Sequence, residues 1–316
     1  MAITASTQRS DFSGFLPRHI AAPFFETARR NSVLMQLARE VPLSINGEAI
    51  PVVTGRPTAN WVAEGAQKPA SHGTMTLDTM DPKKLACIAV VSQEVVRADP
   101  GNYVTNLRDD IGEAFAIAFD LAGFHNLGGD GTGTGPFSSY IDQTTKSAEL
   151  GATSQANGGL YVDLVEGMDE IITQPDLAGT RKYKVTGFAF DTQMETRFRR
   201  AVSTTGEPLW TDLPTQTEPS ALTQTGTTMG RRSFMGDGVA NSTGKILGYV
   251  GDWSQVVWGQ IGGINYSLSD QATVTINGSL VSLWENNLVA IRAETEFGFV
   301  VNDPKAFLQY RNDSGS

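Results

Sequence analysis

The sequence predicts an α+β fold, on three observations. A long run from Asn102 to about Phe124 carries Leu107, Ile111, Ala114, Ala118 and Leu121 at steps of four, three, four and three, the spacing of one helix face. A late segment alternates at strand spacing, with Val289, Ile291, Ala293, Thr295, Phe297, Phe299 and Val301 on one side and Arg292, Glu294 and Glu296 on the other. Extended segments lie both before and after the helix, and no internal repeat runs through the chain.

Residues 1–16 are small, polar and aperiodic and read as an arm, with Pro17 and Pro23 bracketing a turn. Phe24 to Val41 carries the pattern of an amphipathic helix, started by Pro23 and stopped by Pro42. Leu43 to Val53 is extended around the Asn46-Gly47 turn signal. Residues 55–81 are too long for an ordinary connection and are polar and glycine-marked at their centre, so they predict a long projecting hairpin. Leu85 to Val91 returns as a buried strand, and Ser92 caps a short helix from Gln93 to Ala98. The long helix follows, then the glycine burst Gly128–Gly135. Beyond it the pattern gives a helix with Leu160, Leu164, Met168, Ile171 and Ile172, a strand from Tyr183 to Phe190, and a helix capped by Asp191. Residues 203–228 read as loop, and Ile246 to Val250 as strand. Val256, Trp258, Ile264, Tyr266 and Leu268 share a strand face that glycines allow to bulge. The late strand is expected to pair with residues 43–53 and 85–91. One domain is then discontinuous, with residues 130–269 forming most of the other.

The 316 residues suffice for one large or two ordinary domains. The formal charge of −10 argues against a compact nucleic-acid binder, which normally carries a basic face; the nearest cluster, Arg197, Arg199 and Arg200, is short, and a role beside nucleic acid without gripping it stays open. Cys87 stands alone, which excludes an internal disulfide and a multi-cysteine metal site and leaves a small buried hydrophobe. Neither a secretory signal nor an apolar run of membrane-spanning length is present, so a soluble, intracellular setting is expected.

No residue pattern points to catalysis, a cofactor or a metal. The glycine burst runs into Pro136-Phe137 without the lysine of a phosphate loop and reads as a flexible crossing between domains. His19, His72 and His125 are far apart, and no Gly-x-Ser-x-Gly elbow occurs. Glu64 and Lys68 stand four apart in a turn and read as a solvated or intersubunit ion pair. Trp61 is more telling: a tryptophan inside a protrusion with little local core marks a docking surface on a neighbour. Trp253 and Trp258 read as core.

In order and spacing, several of these pieces resemble the major capsid proteins of tailed phages, the HK97-like fold family. They are Ala59–Pro69 with Trp61, Glu64 and Lys68, then Leu85–Val91 with Ser92 behind it, Asn102–Phe124, Gly128–Pro136, Gly248–Ser254, Ile291–Glu294 and Pro304–Phe307. The resemblance implies an N-terminal arm over residues 1–30 and a peripheral domain over 31–129 and 270–316. That domain includes an extended E-loop hairpin at 55–81 and a spine helix at about 102–124; residues 130–269 are mainly an axial domain. It implies self-assembly into hexamers and pentamers of an icosahedral shell around double-stranded DNA, enclosed without specific binding. Phe12, Phe15 and Leu16 in the arm and Trp61, Glu64 and Lys68 in the loop are the expected intersubunit contacts. The partners it implies are many copies of the chain itself, with a scaffolding protein, portal and cement or decoration protein as further candidates. The setting is a virion assembled in the host bacterial cytoplasm.

Some members carry an N-terminal scaffolding domain. This chain enters the arm at Met1, so scaffolding is expected to be separate or dispensable. Some members cross-link covalently through a loop lysine. Lys68 with Glu294 or Glu296 forms no matched trio by spacing, and non-covalent closure is expected. Two other classes fit the same residues, an encapsulin-like nanocompartment and a mixed-fold enzyme.

Overall fold

The computed structural model describes residues 32–98, 103–179, 181–201, 209–212, 223–241, 245–276 and 278–312. In chain order it opens with α1 (Val33–Leu37), β1 (Arg39–Glu40), β2 (Glu48–Gly55), β3 (Thr74–Met80), β4 (Lys83–Ser92), α2 (Gln93–Ala98) and α3 (Tyr103–His125). The middle holds β5 (Ser147–Glu149), α4 (Leu160–Ile172), β6 (Gly187–Phe190), α5 (Met194–Arg200), β7 (Trp210–Asp212), β8 (Gln224–Thr228), β9 (Arg231–Met235) and β10 (Ile246–Gly251). It ends with β11 (Val256–Ser269), β12 (Thr273–Ile276), β13 (Ser279–Ser282), β14 (Leu288–Val301) and β15 (Phe307–Arg311). None of the described helices is long and apolar enough to cross a membrane.

Two sheets carry these elements. The first has the order β1-β11-β14-β4, and the second the order β5-β15-β10-β6-β9-β8-β7. Two hairpins, β2–β3 and β12–β13, stand as separate two-stranded ladders. In the first sheet β14 pairs antiparallel with both β11 and β4, while the short β1 runs parallel to β11. The ladder between β11 and β14 shifts register between Ile261 and Asn265, where Gly262 and Gly263 take φ of +67° and +79°. Those angles belong to the left-handed region that glycine enters without penalty, and they make the bulge.

The long helix α3 joins the sheets. Ile111 and Phe115 lie against Ala293 and Ile264 of the first sheet. Phe119 meets Phe297 and Phe299 at ring separations of 5.0 and 5.9 Å. Farther along, Phe124 stacks on Tyr249 of the second sheet at 5.1 Å. Each such ring contributes on the order of 1.5–3 kcal/mol by leaving water, so the helix is fixed to both sheets by two successive apolar clusters. Trp253 and Trp258 are buried in the same core, as expected.

Several expectations change. The helix read over Phe24–Val41 is only α1 among the described residues. Arg39 and Glu40 leave it to pair with Val257 and Trp258, because a sheet edge there takes up their backbone groups. The buried face of α3 centres on Ile111, Phe115 and Phe119; Ala114 is exposed and Asp120, off the apolar stripe, is buried. β4 is an edge strand with Ile88 exposed rather than a buried strand. The strand over Tyr183–Phe190 shortens to β6, and β7 and β8 lie in the stretch read as loop. β14 does not pair with residues 43–53, which pair with β3; it pairs with β11 and β4. The pairings also run across the division at 269/270: β11 lies beside β14, and β15 lies beside β10. Periodicity reports the face of a strand and not its neighbour, which depends on contacts remote in sequence.

Candidate contact surface

The projecting hairpin begins earlier than its polar centre suggests. Ser44 Oγ donates to the Gly47 carbonyl at 2.6 Å and closes the turn that sends the chain into β2. The ladder then runs from Glu48 opposite Met80 to Gly55 opposite Thr74. Its two faces differ. Ile50, Val52 and Met80 are buried, and Leu43, Ile50 and Met80 cluster with Val257 and Val300 on the side of the first sheet away from α3. The opposite face presents Pro51, Val53, Met75 and Leu77 to solvent, with Met75 and Leu77 63% and 69% exposed. This stripe has no charged side chain, which for an isolated subunit leaves apolar area unburied.

Trp61, Glu64 and Lys68 lie in the tip beyond the ladder, and all three are exposed; Trp61 is fully so. A turn between Ala63 and Ala66, with Gly65 at φ +76°, holds Glu64 at the apex. No ion pair joins Glu64 to Lys68 among the described residues, so both are solvated here. Ser71 Oγ donates to the Thr58 carbonyl at 3.0 Å across the tip. At the neck, Arg56 forms an ion pair of 3.4 Å with Asp176. Phe12, Phe15 and Leu16 lie outside the described residues. Glu294, considered beside Lys68, is engaged from the neighbouring strand by Lys84 Nζ at 3.3 Å and along its own strand by Arg292 Nε at 3.4 Å.

The glycine burst forms a closed loop. The amides of Gly128, Gly131 and Gly135 donate to the carbonyls of Thr132, Gly128 and Asn126, and that of Thr132 to the Asp130 carboxylate. Those donors are therefore turned inward. Thr132 also holds the Asp130 carboxyl below its ordinary pKa, so the loop presents an anion where a phosphate would need to bind.

Two buried polar joints were missed by sequence reading. Asp120 on α3 accepts from Ser32 Oγ, the Val33 amide and the Leu34 amide at 2.6, 2.8 and 3.2 Å, and so caps α1 from a remote helix. Burial pushes its carboxyl up to about 7 against those donors, which lower it. At the end of α3, His125 Nε2 lies 3.0 Å from the Val239 carbonyl, and Nδ1 lies 3.2 Å from Tyr249 Oη, which donates to Asp142 at 3.2 Å. Burial first, and Asp142 second, raise the Tyr249 phenol, so it stays a donor. The available signal was an aspartate and a histidine set among apolar neighbours at the end of the long helix. No group of three His, Cys, Asp or Glu that could hold a metal occurs among the described residues.

A bare apolar stripe on the hairpin thus stands beside the buried core of the two sheets. The phage capsid family model matches residues 13–311. The probable major capsid protein gp17 of Mycobacterium phage D29 is 35% identical over 312 residues, covering 98% of this chain and 93% of the relative. Its counterpart from Mycobacterium phage L5 is 36% identical over 312 residues, covering 98% and 92%. A solved structure from Mycobacterium phage Ogopogo superposes with a TM-score of 0.66 at 25% identity, covering 89% of this chain and 92% of that one. The chain belongs to the phage capsid family.

Proposed function

We propose that the protein is a major capsid protein whose copies assemble as hexamers and pentamers of an icosahedral shell around double-stranded DNA. The observation that carries this reading is the 35% identity over 98% of the chain to a relative named a probable major capsid protein. The role is structural rather than catalytic. In this reading α3 is the spine helix and β2–β3 with its tip is the E-loop. The first sheet is the peripheral domain and the second the axial domain. Trp61, Glu64 and Lys68 then contact a neighbouring copy together with the stripe Pro51, Val53, Met75 and Leu77, and Phe12, Phe15 and Leu16 act from the arm.

The formal charge of −10 supports enclosure of DNA without gripping it, since tight phosphate contacts would impede filling. Scaffolding, portal and cement proteins are the further partners of this reading, with assembly in the host cytoplasm. Electron microscopy of the purified protein, backed by sedimentation, is the test. Uniform icosahedral shells or ring-shaped capsomers are expected. A 33.9 kDa monomer that persists at high concentration with candidate scaffold present would overturn the reading.

A further inference from the structure

The root of the hairpin sits in a slot that side chains would close. Gly259 and Gly298 face each other across the β11–β14 ladder. A Cβ at Gly298 would stand 2.7 Å from Met80 Cγ and 2.9 Å from Leu43 Cδ2. A Cβ at Gly259 would stand 2.6 Å from the Val41 carbonyl oxygen and 2.9 Å from Leu43 Cβ. Neither glycine has positive φ, so space and not backbone conformation is what the position demands. Met80 is fully buried there, and it is the residue at which β3 ends. The hairpin has a second attachment at the opposite end of its ladder, the Arg56–Asp176 ion pair, whose side chains are 33% and 13% exposed. Asp176 is itself held by its loop, with its amide donating to the Arg181 carbonyl and its carboxylate accepting from the Arg181 amide.

We infer that these two points form an adjustable mount that sets the angle of the hairpin on the body. Met80 in the Gly259–Gly298 slot is the pivot, and Arg56–Asp176 is the stay that fixes the swing about it. The two contacts differ in kind. The pivot is apolar and closed, so it holds in any salt. The stay is a partly exposed ion pair and weakens as salt screens it. Because the docking stripe is carried on this hairpin, its angle sets the angle between neighbouring copies. This part rests on the shell reading above; the mount itself does not. Met80, Gly259, Gly298 and Arg56 are therefore positioning residues that act through the stripe and do not touch a neighbour.

The test is hydrogen exchange over residues 48–80 in the dilute, unassembled subunit, followed by electron microscopy of assembled material. In wild type, exchange of the hairpin is expected to rise severalfold between low and molar salt. Arg56→Ala should exchange fast at low salt and lose that salt dependence, and Arg56→Lys should restore it. Gly298→Ala should raise exchange at the root at all salt concentrations, and by more than the fall in melting midpoint that the added methyl causes in the first sheet accounts for. Both Arg56→Ala and Gly298→Ala should assemble into particles of broadened size. Equal exchange in wild type and Arg56→Ala at low salt would overturn the stay, and unchanged root exchange in Gly298→Ala would overturn the pivot. Altered exchange with particles of wild-type size would overturn the link to curvature. Failure of wild type itself to form shells would instead overturn the capsid reading, and the exchange data would still decide the mount.

Discussion

Ser32 Oγ donates to Asp120 Oδ1 at 2.6 Å across 88 residues of chain, and the Met35 amide in turn donates to Ser32 Oγ at 3.1 Å. The side chain of the long helix thus completes the first turn of α1, which has no acidic residue of its own there. Asp120→Ala leaves two buried amides and a hydroxyl without an acceptor. It is expected to lower stability by about 2–4 kcal/mol, measured by urea unfolding.

Asp120 also gives stability a pH dependence. Its pKa rises from 3.8 to about 7 on folding, so the native state holds the proton more tightly than the unfolded chain. The contribution is complete below about pH 4 and is lost as pH rises towards 7. Asp120→Asn removes this titration, and its unfolding midpoint should therefore gain on wild type by the equivalent of a few kcal/mol between those limits. Parallel pH profiles for the two proteins would refute it.

Tyr249→Phe removes one hydroxyl from the joint of His125, Tyr249 and Asp142. The ring still stacks on Phe124, so only the polar contact is lost. A cost of about 1–2 kcal/mol is expected in denaturant unfolding. A neutral effect would mean that the joint does not contribute to stability.

Gly167 offers a case where helix propensity and packing disagree. Alanine inside a helix is favoured over glycine by about 1 kcal/mol. Here a Cβ would stand 2.6 Å from Tyr310 Oη, which donates to the Leu164 carbonyl at 2.9 Å. Tyr310 is fully buried and has nowhere to retreat. Packing wins, and Gly167→Ala should lower the melting midpoint despite its better propensity.

Alanine at Trp61, Glu64 or Lys68, or Leu77→Asp in the stripe, should leave subunit stability within about 0.5 kcal/mol, since these side chains are exposed. Assembly should fall sharply for Trp61→Ala and Leu77→Asp, read by sedimentation. Unchanged assembly in both would remove the hairpin from the contact surface.

Periodicity made much of this legible. The span of α3, the alternation of β14 and the cap of α2 follow from side-chain spacing and from Ser92, whose Oγ accepts from the Val95 amide at 3.3 Å. The bare hairpin tip was legible through Trp61, because the segment around it offers no apolar partner. What spacing does not carry is which strand lies next to which: β14 lies beside β11 and β4, and not beside residues 43–53. Nor does it reveal why a residue off the stripe is buried. Asp120 is inside because Ser32 and two amides arrive from a distant segment, and Gly298 is bare because Met80 must fit above it.

The position of β14 and β15 governs when the subunit can exist. β14 lies between β11 and β4, and β15 lies between β5 and β10, so residues 288–311 supply an inner strand to both sheets. Translation delivers these residues after every strand they must join. Until then β4 has no partner strand, and the second sheet is split between β5 and β10. Pairings this remote in sequence also form slowly, because long loops must close first. A nascent or truncated chain lacking residues 288–311 therefore cannot complete either sheet.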